Sequence, residues 1–116
     1  MRLLPIDRAE HLIARFSSTG AYATRLAVGT GSYHLTCLSI GPGGTIGTHP
    51  APVEQLFLVI AGEGWISGPD AVRLPISAGT AVLWSAGEEH TSGTDTHLTV
   101  LALEGAGLNV FEHEDY

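Results

Sequence analysis

Histidines carry most of the chemistry this chain could do. There are six of them and no lysine: all five basic residues are arginines, so Schiff-base chemistry is closed. No G-x-S-x-G elbow, no lysine-bearing glycine loop for phosphate and no Cys-x-x-Cys pair is present. The single cysteine, Cys37, has no basic neighbour in sequence and reads as a small buried apolar residue. His49 and His90 stand apart because each sits in a glycine-punctuated block, GGTIGTHPAPVEQLFLVIAG at 43–62 and GTAVLWSAGEEH at 79–90. An imidazole can ligate a metal, take or give a proton near neutral pH, or hydrogen-bond a ligand. His34 and His97 read as surface or core-edge residues, and His11 and His113 lie near the ends. Glu88 and Glu89 read as a solvated turn, and Trp65 and Trp84 as packing.

The elements that must position these side chains are strands. With 116 residues, 44% hydrophobic and 15% charged, the chain has room for one domain, 1–116, with a real core. Fifteen glycines and six prolines punctuate short apolar runs. The pattern predicts strands over 21–28, 32–40, 53–60, 64–68, 71–76, 80–84, 90–93, 96–104 and 107–112, as in a sandwich, jelly roll or barrel. One helix is expected near the start. Asp7 could cap it, Glu10 completes a capping box, and Ala9, Leu12, Ile13 and Phe16 share a face.

Gly43, His49 and Gly62 match the first cupin motif, G-x5-H-x-H-x3-E-x6-G. Gly79, Gly87 and His90 match the second, G-x5-P-x-G-x2-H, with Ser85 replacing the proline. On these residues the sequence resembles the cupin family. The resemblance implies an all-β double-stranded β-helix, a jelly-roll barrel, with the short helix in front. It also implies a divalent metal (zinc, iron, nickel or manganese) held by two histidines and a glutamate of the first motif and one histidine of the second. His49 and His90 occupy their positions, but Ala51 stands where a histidine is expected and Gln55 where the glutamate is. What remains for metal is His49, Gln55 and His90, so binding is expected to be weak or absent. On a continuous strand, residues 49, 51 and 55 share one face, so all three are expected inside the barrel. Ala51, Gln55, Phe57 and Val59 are then the expected pocket lining. Glu54 falls on the opposite face unless a bulge turns it.

Three functions follow. The first is a small-molecule-binding cupin with a degenerate metal site. The others are a metal-dependent oxygenase or isomerase using His49 and His90, and a metal-free acid–base enzyme using the same two as candidate catalytic residues. A formal charge of −7 argues against nucleic acid and anionic membrane as partners. No apolar run is long enough to span a membrane, and the first residues lack the pattern of a signal peptide, so a cytoplasmic location is expected. The resemblance further implies a homodimer.

Overall fold

The computed structural model describes residues 1–7 and 10–111, and among them it is all β with no helix. The strands are β1 (Arg2–Pro5), β2 (Glu10–Leu12), β3 (Tyr22–Thr24), β4 (Ala27–Val28), β5 (His34–Ile40), β6 (Thr45–Pro50), β7 (Gln55–Ser67), β8 (Arg73–Ser77), β9 (Thr80–Trp84), β10 (Glu89–Gly93), β11 (Leu98–Glu104) and β12 (Asn109–Val110). β7 serves two antiparallel sheets. Its first half lies in the order β1-β9-β7-β11-β5, its second in β8-β7-β10-β6.

A bulge marks the change of sheet. Thr99 faces Ala61 while Val100 faces Val59, so Ile60 is an extra residue and is left 47% exposed. Gly62 follows with φ +82°, and a Cβ there would run into the His97 carbonyl oxygen. Glycine is therefore required at this bend. The bulge breaks the alternation that sequence reading needs, which is why one 13-residue strand was expected as two.

The main core draws Phe57, Val59, Val82, Trp84, Leu98 and Val100 from the first sheet and Ile66 and Ile76 from the second. A smaller cluster of Leu56, Ala81 and Leu108 fills the other face of the first sheet, with Leu4, Leu26 and Val110 packed against it.

The expected N-terminal helix is absent from the described residues. Arg2–Pro5 instead extends the edge of β9, pairing Arg2 with Leu83 through Pro5 with Thr80. Glu10–Leu12 pairs with Tyr22–Thr24. Leu12 and Phe16 are 60% and 87% exposed and Ile13 is half-buried, so the supposed apolar face buries too little to stabilise a helix. Ala9 lies outside the described residues. Two further strands escaped the sequence reading: β1, and β6, whose residues are nearly all exposed and show little alternation. Cys37 is exposed rather than buried, because β5 has β11 as its one ladder partner and its outer face is uncovered there.

Candidate functional site

His90 and His49 are directly paired residues on neighbouring strands β10 and β6. Directly opposed residues share a face, and the two rings lie 4.4 Å apart between centroids, tilted by 59°. A bulge makes this pairing. His90 faces His49 but Ser92 faces Ile46, so β6 carries one residue more than β10 in the interval, at Gly47–Thr48. Ile46 and His49 are three apart, which on a regular strand would send them to opposite faces. With the extra residue absorbed, both line the same cavity.

The environments of the two rings differ. His90 is 4% exposed and stacks on Trp84, with centroids 4.6 Å apart and planes 17° from parallel. His49 sits on exposed β6. His49 Nδ1 donates to the Gly47 carbonyl at 2.7 Å, and His90 Nδ1 donates to the Glu88 carbonyl at 3.2 Å. A carbonyl can only accept, so each Nδ1 carries its proton and each Nε2 is left to meet a ligand. Burial holds the His90 pKa below its ordinary 6.5, and neighbouring His49 pushes it further down. The hydrogen bond to Glu88 and the Glu88 and Glu104 carboxylates oppose this without reversing it.

The cavity between the sheets measures about 190 Å³. Leu38, Ile46, Phe57 and Ala102 form its apolar wall, and His49, Gln55, His90 and Glu104 its polar one. Gln55 Nε2 donates to Glu104 Oε2 at 3.1 Å, across a ladder in which these two residues are directly paired. Glu104 was missed from the sequence, where it lies outside both motifs. Its only signal was a charge ending an apolar strand.

Glu88 is more than a solvated turn residue. Its side chain accepts from the Ser85 N–H at 3.0 Å and from the Met1 ammonium at 2.8 Å. Its carbonyl accepts from the Ala51 N–H. Burial works to raise the Glu88 carboxyl, but these donors and His90 together hold it below its usual range.

Neither a family model nor a curated protein matches this sequence. Solved structures do. A cupin superfamily protein from Desulfitobacterium hafniense is 17% identical, matching 91% of this chain and 99% of its own at a TM-score of 0.60. An uncharacterised double-stranded β-helix protein from Klebsiella pneumoniae is 20% identical over 82% and 88% of the two chains, at 0.59. The chain has the cupin fold. A third match, to the DMSP lyases RdDddP and RnDddQII, reaches 29% identity over 67% of this chain, spans 41% of the other, and has a TM-score of 0.59.

Within this fold the expected pocket residues divide. His49, Gln55, Phe57 and His90 line the cavity, whereas Ala51 and Val59 do not. Val59 is fully buried in the main core, on the same face as Phe57 but beyond the cavity's reach. Ala51 is 1% exposed in that core, so it does not enlarge the pocket. The shared-parity argument for 49, 51 and 55 needs correcting, because β6 ends at Pro50 and β7 begins at Gln55. The chain between them is irregular, and Pro50 and Pro52 account for the break. Glu54 is half-buried and does not line the cavity. Trp65 carries the Arg73 guanidinium 3.7 Å from its ring centroid and packs outside this site.

The cupin motif implies a divalent metal, and the donors present do not fit one. Ala51 supplies no ligand atom, and Gln55, held through its Nε2 by Glu104, offers only a neutral amide oxygen in place of a carboxylate. Among the described residues no group of three His, Cys, Asp or Glu side chains could hold an ion.

Proposed function

We propose that this protein is a small-molecule-binding cupin domain whose chamber works without a tightly held metal ion. The observation that carries this reading is the hydrogen bond from Gln55 to Glu104. Where the motif wants a carboxylate ligand, this chain has a neutral amide, whose N–H side is oriented by Glu104 and whose oxygen is the weaker ligand. A volume of about 190 Å³ is below the usual range for drug-sized ligands and suits a compact metabolite. Two hydrogen-bonding imidazoles facing an apolar wall are the mixture such sites use.

The test is metal analysis of protein purified without a polyhistidine tag, followed by melting with added nickel, zinc, iron or manganese. Substoichiometric metal and little shift are expected, since an ion bound only by the folded state must raise the melting temperature. One firmly held ion per chain would overturn the reading in favour of a metal-dependent oxygenase or isomerase.

A metal-free enzyme is the second reading. It is favoured by His90, an imidazole kept neutral by burial and so available as a base. We also propose a homodimer. Support comes from strand β5, where Leu35 is 65% exposed and, among the described residues, the backbone has β11 alone as a ladder partner. Sedimentation should then give about twice 12.1 kDa.

A further inference from the structure

The chamber has a second room. A wider cavity of about 510 Å³, walled by segments 30–34, 52–53 and 104–106, shares Glu104 with the inner one. Glu104 therefore stands at the junction between an inner apolar chamber and an outer vestibule. The register places it between Gln55 on β7 and His34 on β5. Its Oε2 accepts from Gln55, and among the described residues no partner is found for Oε1.

The charge around this junction is one-sided. No arginine is among the described residues lining either cavity, and the chain has no lysine. The lining offers Glu104 Oε1 and, with both Nδ1 protons given to carbonyls, the Nε2 atoms of His49 and His90 as acceptors, and the Thr36 and Ser92 hydroxyls, which can accept too. A primary ammonium has three N–H donors and no acceptor, which complements this set. A carboxylate or phosphate would meet a like charge and find no cation.

We infer that the chamber takes an organic ammonium ion with a short apolar tail, its head at Glu104 and its tail among Leu38, Ile46, Phe57 and Ala102. This rests on the small-molecule reading above and names the ligand class for the same site.

Titration calorimetry of untagged protein with hexylamine, hexanol and hexanoate, on the alkaline side of the histidine range, tests it. Hexylamine should bind about tenfold or more tightly than hexanol, as a charge-assisted hydrogen bond implies, and hexanoate should bind least. Glu104→Gln should weaken hexylamine far more than hexanol and so erase the amine preference. Salt provides a check that needs no variant: amine affinity should fall as ionic strength rises, and alcohol affinity should not. Hexanoate equal to or better than hexylamine, or an amine preference insensitive to both salt and Glu104→Gln, overturns the ammonium assignment. The pocket reading is judged separately by Ala102→Leu, which fills the chamber and should weaken amine and alcohol alike. If hexanol binds and responds to Ala102→Leu without any amine preference, only the ammonium assignment falls. If none of the three binds, both fall.

Discussion

The two strands that carry the site histidines are built to different standards. β10 lies between β6 and β7, and His90 on it is buried against the fully enclosed Trp84 ring. β6 is an edge strand, mostly exposed, and its register reaches His49 only through the bulge at Gly47–Thr48. One imidazole is thus a fixed wall of the core, and the other is a rim residue. The difference teaches that the two motif histidines, equal in sequence, are unequal in the fold: one is packed into the core and the other stands exposed at the edge.

The sharpest way to break this comparison is to remove the support on the β10 side. Trp84→Ala should cost about 3–5 kcal/mol, as for other buried aromatics cut to alanine, measured by urea unfolding. A loss no larger than that of an exposed residue would mean His90 has no rigid backing. Next in size comes the junction beyond β6. Ala51→His forces an imidazole into a closed core position and should cost about 1–3 kcal/mol. Gln55→Glu beside Glu104 adds a like-charge repulsion. The pair, which the motif suggests would rebuild a metal site, should therefore melt lower and gain no ion. Stoichiometric metal in that double variant would show that position 51 can turn toward His90.

A smaller effect separates the two rings by pH. The folded pKa of His90 lies below 6.5, so below that value the unfolded chain binds the proton more readily. This contribution to stability is complete above about 6.5 and is lost as pH falls through the folded pKa. His90→Gln should flatten that acid limb of the stability profile, read from melting temperatures, whereas His49→Gln should only shrink it, because burial, the larger cause of the shift, remains. Smallest of all, His49→Ala should change stability by no more than about 0.5 kcal/mol, as an exposed site does. A large loss would mean the rim is part of the core after all.

Much of this was legible in advance. Strand positions from β7 to β11 followed from apolar runs between glycines, and two spaced motifs pointed to His49 and His90. The misses share a cause. β1 and β6 carry too little alternation to be seen, and the i, i+4 spacing of Leu12 and Phe16 imitated a helix that has nothing to pack against. Phe57 was legible as lining and Val59 was not separable from it, because both face inward and only depth distinguishes them.

The sequence alone determined the residue types: two imidazoles with the right separation, no lysine, an alanine and an amide where ligands were expected. Those are covalent facts, and the chemistry they exclude is excluded in any conformation. Tertiary structure decided which atoms meet. Parity counts faces only along an unbroken strand, and here a bulge at Gly47–Thr48 and a break after Pro50 both intervene. The same packing set Glu104 against Gln55 from 49 positions away. No local pattern encodes that contact, because it arises from the ladder between β7 and β11 and from the burial that fixes their register.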